Sequence, residues 1–238
     1  MKYIKQYSVN QNYFDLINTE DKAYFLGLMA SDGCITNKNR LLIGLAKEDE
    51  EVLELFKNSI AYTGPLYNVK GRTIKHKDQI RLQIRNSTLF NSLINLGIVE
   101  RKSLILTFPN ETLVPKNLQC HFIRGYFDGD GSVKFNHDSI HIRFTGTFDI
   151  LDSIQNIFIN NCAVSKLKMY QANKQRNTYE FTYGGDMQGM RIYDYMYKDA
   201  TIFMKRKKDK FNSHWSKKFS VYYPTFILQE ELQRRITI

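Results

Sequence analysis

Phe25-Leu-Gly-Leu-Met-Ala-Ser-Asp-Gly33 and Ile123-Arg-Gly-Tyr-Phe-Asp-Gly-Asp-Gly131 are two copies of one pattern, an apolar helix-like stretch ending in a small residue, Asp and Gly. The two aspartates, Asp32 and Asp130, stand 98 positions apart. The likeness continues downstream. Ile43-Gly-Leu-Ala-Lys-Glu-Asp49 precedes a helical pattern (Val52, Leu53, Leu55, Phe56), and Arg143-Phe-Thr-Gly-Thr-Phe-Asp149 precedes another (Ile150, Leu151, Ile154, Ile157, Phe158). Arg101-Lys102 and Arg206-Lys207 then follow helical segments in turn. The shared order is helix, strands, helix, strands, helix, basic pair, which is the signature of an internal duplication.

Pro109 and Pro115 bracket a short connector that cannot be helical throughout. The halves therefore run over residues 1–108 and 116–238, with 109–115 as the connector. Asn18 or Thr19 is placed to cap the first helix and Gly33 to end it; Asn117 and Gly131 hold the matching places in the second. The tail after Trp215 has no counterpart in the first half.

The chain has 238 residues, 34 Lys plus Arg against 24 Asp plus Glu, and a net charge of +10. With 42% hydrophobic and 13% aromatic residues, it has material for a core and is no disordered basic tail. No apolar run is long enough to cross a bilayer, and the N-terminus lacks the apolar segment of a secretory signal. Three widely spaced cysteines without a CxxC exclude a disulfide framework or a structural zinc site. The expectation is an intracellular protein, with bacterial, phage or organellar origin indistinguishable. The ends, Met1-Lys2 and Thr237-Ile238, offer no splicing nucleophile or His-Asn, so a free-standing protein is expected.

Where the charge sits points to a partner. In Gln79-Ile-Arg-Leu-Gln-Ile-Arg85 the apolar residues alternate with Gln79, Arg81, Gln83 and Arg85. From Ser139 to Thr147, Ile140, Ile142 and Phe144 alternate with His141, Arg143 and Thr145. Strands of this kind put one face on a core and the other in solvent. Arg and Gln are side chains that read guanine and adenine edges in the major groove. Lys70, Arg72, Lys75 and Lys77 crowd one neighbouring hairpin, and Lys166, Lys168, Lys174 and Arg176 flank the corresponding strands of the second half. Basic hairpins in both halves favour nucleic acid as the partner over an ordinary solvated face.

The aspartates carry the chemistry. Each ends an apolar helix, where the helix dipole disfavours a negative charge by ~0.3–1 kcal/mol. Each helix carries small residues one turn apart, Gly27 with Ser31 and Gly125 with Gly129, a spacing that lets two backbones approach closely. Parallel packing would bring Asp32 and Asp130 side by side, and a hard divalent cation would relieve their repulsion. An EF-hand register around Asp128-Gly-Asp130-Gly131 fails, because Tyr126 and His137 would hold its required acidic positions. An HNH-type nuclease around His137 and His141 lacks a second ligand cluster.

The two nine-residue copies resemble the motif that names the LAGLIDADG homing endonucleases, and their order resembles the single-chain, two-motif members from about Asp21 to about Phe211. The second copy is nearly ideal. The first has Ala30 at the usually acidic sixth position and Met29 where Ile or Leu is typical. The resemblance implies an α+β fold of two pseudo-symmetric αββαββα repeats, whose antiparallel sheets form a DNA-binding saddle. It also implies a monomeric, site-specific double-strand DNA endonuclease that uses Mg²⁺ or another divalent cation such as Mn²⁺. Each half would cut one strand of a long asymmetric target across the minor groove, leaving short 3′ overhangs. Asp32 and Asp130 match the metal-binding acids, with the carbonyls of Ser31 and Gly129 completing the coordination. Lys102 and Lys207 match the basic residues near each active site, with Lys205 as the alternative to Lys207. Lys47 and Thr147 match a strand-end position that organises active-site water. An RNA-splicing maturase or a DNA-binding regulator on the same scaffold is the alternative.

Overall fold

The computed structural model describes residues 7–36, 39–71, 73, 76–136, 139–173 and 177–220. Arg72, Lys75, Lys174, Arg176, His137 and the tail from 221 lie outside the described residues. The first half runs α1 (Glu20–Ser31), β1 (Gly33–Thr36), β2 (Arg40–Ala46), α2 (Glu50–Ser59), β3 (Tyr67–Val69), β4 (Gln79–Arg85), α3 (Ser87–Asn95). The second runs α4 (Gln119–Asp130), β5 (Ser132–Asn136), β6 (Ser139–Gly146), α5 (Phe148–Cys162), β7 (Tyr170–Asn173), β8 (Thr178–Gly184), α6 (Asp186–Tyr197). A further helix, α7 (Lys205–Ser220), follows. The expected αββαββα order thus occurs twice, as an α+β architecture.

Each half forms one four-stranded antiparallel sheet, ordered β1-β2-β4-β3 and β5-β6-β8-β7. The alternation in sequence sets which side is buried, since successive side chains point to opposite faces. Leu41, Ile43, Leu45, Ile80, Leu82 and Ile84 of the first sheet are buried, as are Ile140, Ile142, Phe144, Phe181 and Tyr183 of the second. α2 and α3 pack on the first sheet, α5 and α6 on the second.

Two helix starts differ from expectation. Thr19 takes the N-cap place of α1, but its hydroxyl donates to Asp21 Oδ1 instead of accepting a backbone N–H. Leu118, not Asn117, precedes α4, because a 3₁₀ turn over Lys116–Leu118 feeds directly into the helix. The exits differ too. Neither Gly33 nor Gly131 adopts a positive φ; both are needed for space. A Cβ on Gly33 would lie 2.5 Å from Met29 O, and one on Gly131 2.6 Å from Phe127 O.

α1 is buried on every side from Ala23 to Ala30, as befits a helix walled in by both halves. Its start is pinned by a wholly buried arginine. Arg124 of α4 donates to Glu20 Oε1 at 2.6 Å, Met196 O at 2.7 Å and Ile202 O at 2.8 Å. Pairing and hydrogen bonding of this completeness is what makes a buried charge tolerable. All three thiols are free, and among the described residues no helix is long and apolar enough to cross a membrane.

Candidate active site

α1 and α4 cross in parallel and so closely that only glycine fits at the contact. A Cβ on Gly27 would lie 2.0 Å from Phe122 O, and one on Gly125 2.0 Å from Tyr24 O. One turn on, a Cβ on Gly129 would fall 1.9 Å from Ser31 Oγ and 2.7 Å from Asp32 Oδ2. The C-termini therefore meet. Asp32 caps α1 and Asp130 is the last residue of α4, so two carboxylates sit together where both helix dipoles oppose them.

Their electrostatics record this. Asp32, half-buried, has its pKa pushed up to about 6 by loss of solvent and then by Asp130; Lys207, Lys102 and Arg206 pull the other way. Asp130 keeps an exposed surface, yet protein crowding raises its pKa as well, against Lys102 and then Lys207. The lysines thus act crosswise, each being the stronger cation for the acid of the other half. Both are buried: Lys102 keeps 8% of its surface and Lys207 4%. Lys102 Nζ donates to Ser31 O at 2.8 Å, while Lys207 Nζ donates to Phe127 O at 2.6 Å, Gly131 O at 2.7 Å and Gly129 O at 3.3 Å. Burial pushes Lys207 down to about 8, with Asp128 the foremost opposing charge.

The raised carboxylate makes a testable demand on stability. A group whose folded pKa exceeds its unfolded value, here about 6 against 3.8, stabilises the fold while protonated and loses that contribution as pH rises between the two. Without divalent cation, Asp32→Asn should match the wild type near pH 4 and exceed it at pH 7 by on the order of 1–2 kcal/mol, the partial exposure of Asp32 trimming the full effect. Urea unfolding in chelator at both pH values measures it. A variant no more stable at pH 7 would show that Asp32 is not strained.

Beside Asp130 opens a cavity of about 170 Å³ lined by Ser31, Lys102, Ser103, Tyr126, Thr145 and Thr147, among others. The Tyr126 hydroxyl donates to Thr145 O at 2.7 Å and fixes that wall. Among the described residues no three His, Cys, Asp or Glu side chains cluster. The acidic side chains at this place are the two carboxylates, which are hard oxygens; the carbonyls of Ser31 and Gly129 lie beside them and accept from Lys102 and Lys207. That set fits Mg²⁺, which binds through one or two carboxylates and completes its shell with water and phosphate.

The remaining site residues named from sequence fall into distinct places. Lys47 and Thr147 each follow directly on a strand end, but they differ: Lys47 is exposed and pairs with Glu50 at 2.6 Å, whereas buried Thr147 caps α5 and donates to Leu106 O. Lys205 is exposed and paired with Asp209 one turn on, so it faces away from the inward-facing Lys207 two residues later. Arg81, Gln83, Arg85, His141, Arg143 and Thr145 point away from the core, as the alternation required. Arg81 lies along Gly44, where a Cβ would be 3.1 Å from its Cγ, and donates to Gln79 Oε1 at 2.9 Å. Arg143 reaches Glu180 at 3.1 Å. Lys70 is exposed, Lys77 pairs with Glu48 at 2.8 Å, and Lys168 lies 5.5 Å from the centre of the Tyr170 ring. Lys166, in the segment between α5 and β7, is exposed and pairs with Asp152 of α5 at 2.8 Å. Arg40, Lys134, Glu180 and Thr182 share the outward faces and went unnoticed. Register would have found them, since Arg40 pairs with Arg85 and Thr182 with Arg143.

No protein-family model matches the chain. A probable translation initiation factor IF-2 from Methanocaldococcus jannaschii is 28% identical over 164 residues, a match covering 64% of this chain and 13% of that protein. Among solved structures, the homing endonuclease I-LtrWI bound to target DNA superposes with a TM-score of 0.52 at 12% identity, covering 96% of both chains. The meganuclease I-CpaMI bound to uncleaved DNA gives 0.52 at 14% identity, over 93% of this chain and 99% of that one. The meganuclease I-AabMI, also bound to uncleaved DNA, gives 0.51 at 13%, over 90% and 97%.

Proposed function

Because the chain has the fold of the LAGLIDADG homing endonucleases, we propose that it is a site-specific endonuclease that hydrolyses phosphodiesters in both strands of a long, asymmetric DNA duplex. The observation that carries this reading is the pair of strained carboxylates, Asp32 and Asp130, at the junction of two parallel helices. From that junction β1 and β5 lead directly into two sheets whose outward faces carry Arg, Lys, Gln and Thr. Both acids come from one chain, so a monomer suffices for the reaction.

Asp32 and Asp130, with the Ser31 and Gly129 carbonyls, would hold Mg²⁺ or Mn²⁺. A divalent ion there supplies Lewis-acid polarisation of phosphate oxygens and of the attacking water. The protein's own part is positional and electrostatic. The parallel crossing of α1 and α4 sets the spacing of the carboxylates before substrate arrives, so no reorganisation is needed at the reacting phosphate. Lys102 and Lys207 bring positive charge to the same point, where negative charge grows on the phosphate and the leaving oxygen. Ser103 and Thr145 line the cavity beside Asp130 and would orient solvent there, while Thr147, its hydroxyl engaged by Leu106 O and Ile150 N, fixes the wall. The exposed lysines neutralise backbone phosphates, which gives affinity, while Arg81, Gln83, Arg85, Arg143 and their neighbours read base edges, which gives specificity.

The decisive experiment incubates the protein with a randomised duplex library and Mg²⁺, then sequences the cut ends. Recovery of one long, non-palindromic site supports the reading. Retained duplex binding without any cut would remove the nuclease assignment in favour of a regulator. Once a site is in hand, Arg81→Ala should relax preference at one base position, at a cost of ~1–3 kcal/mol. A uniform loss across all targets would make Arg81 a phosphate contact.

A further inference from the structure

We propose that Asp128 is a positioning residue for Lys207 alone, so that its loss slows the cutting of one DNA strand and spares the other. The inference rests on the nuclease reading above and assigns a role to an acid that the site itself leaves unused. Asp128 is completely buried. It accepts hydrogen bonds from the Tyr24 hydroxyl of α1 at 2.8 Å, the Tyr197 hydroxyl of α6 at 2.7 Å and the Met204 N–H at 2.7 Å. A carboxylate this deeply buried survives only with its oxygens satisfied.

The Met204 contact has consequences for α7. Met204 stands immediately before that helix, and its carbonyl accepts from Lys207 N at 3.0 Å and Lys208 N at 3.2 Å. Asp128 therefore anchors the turn that launches α7, with its negative charge at the end where a helix favours one. That turn aims Lys207 back at α4, where its ammonium joins three carbonyls within four residues of Asp128. Carboxylate and ammonium together clamp α7 against the C-terminus of α4.

Among the described residues the first half has no such clamp. Buried Ala30 stands where Asp128 does in the repeat and offers no polar atom. Lys102 rides on a 3₁₀ turn, Lys102–Leu104, behind Arg101 at φ 56°, and donates to the single carbonyl of Ser31. Removal of Asp128 thus acts on one lysine of the pair.

The test follows each strand of a cleavable duplex by a separate end label. Asp128→Asn keeps the volume but not two full acceptors, and Tyr197→Phe removes one donor with less risk to folding. Both are expected to slow one strand by about ten- to a hundredfold relative to the other, so that nicked circles accumulate from a supercoiled plasmid. Lys207→Met should bias the same strand and Lys102→Met the opposite one. Ile154→Val, in the core of the second half, serves as a stability control and should leave the strand ratio at the wild-type value. Equal slowing of both strands by Asp128→Asn and Tyr197→Phe, or a bias shared with Lys102→Met, would overturn the proposal. Failure of the wild type to cut any duplex would instead defeat the nuclease reading itself.

Discussion

Asp32→Asn and Asp130→Asn are each expected to lower DNA cleavage by at least about a thousandfold while leaving duplex affinity within a few fold. The magnitude follows from what each carboxylate is asked to do. If holding a divalent ion against the reacting phosphate contributes several kcal/mol to the transition state, its removal costs a factor of ten for each 1.4 kcal/mol. On the proposed reading, binding draws instead on the outward strand faces and the exposed lysines. Losing a negative charge near the DNA backbone would if anything strengthen it at low salt. The variants should also fold well, since each removes half of a repelling pair whose members both carry raised pKa values. Cleavage and filter binding, measured on the same preparation, separate these outcomes. Full cutting by either variant would mean that the carboxylates are bystanders to the chemistry.

What could be seen in the chain beforehand, and what could not, divides along sequence distance. The helices ending at Asp32 and Asp130 and the alternation in Gln79–Arg85 are patterns spanning ten residues, and both stand in the structure. The small-residue spacing of Gly27 and Gly125 announced a close crossing, because glycine on a helix face has few other uses. Contacts between distant segments were another matter. Arg124 sits among apolar residues and looks like a solvent-facing exception, yet it is wholly buried because Glu20 lies 104 positions away in sequence and directly beside it in space. The difference between Ala30 and Asp128 was plain as a departure from the repeat. Its meaning was not, since Tyr197 and Met204 are 69 and 76 positions distant. The crosswise influence of the lysines likewise depends on how α7 returns to α4. In hydrogen bonding, by contrast, each lysine stays with the helix end of its own half, Lys102 on Ser31 O and Lys207 on Gly129 O and Gly131 O.

Gly125→Ala should destabilise the protein by about 3–5 kcal/mol, a large effect for one methyl group. On helix propensity alone the same change would stabilise by up to ~1 kcal/mol, so the sign of the result discriminates between local and tertiary control. The added Cβ would lie 2.0 Å from Tyr24 O, 2.9 Å from Tyr24 C and 3.0 Å from Leu28 N. Those are backbone atoms of α1, and no change of rotamer moves them. Relief requires α1 and α4 to separate, which opens voids around Ala23–Ala30 and Phe122–Asp128, the most thoroughly buried stretches of either helix. At ~2–4 °C per kcal/mol for a chain of this size, the melting temperature should fall by roughly 6–20 °C. Gly97 provides the contrast. It adopts φ +86° with no atom within 4 Å of a Cβ, so Gly97→Ala meets only backbone strain, worth about 1–2 kcal/mol. Activity should separate the two still further. Whatever fraction of Gly125→Ala remains folded holds Asp32 and Asp130 at a wrong spacing, and a shift of about 1 Å at reacting groups is enough to cost a hundredfold in rate. A Gly125→Ala protein that melts with the wild type and cuts at its rate would show that α1 and α4 do not set the distance between the two carboxylates.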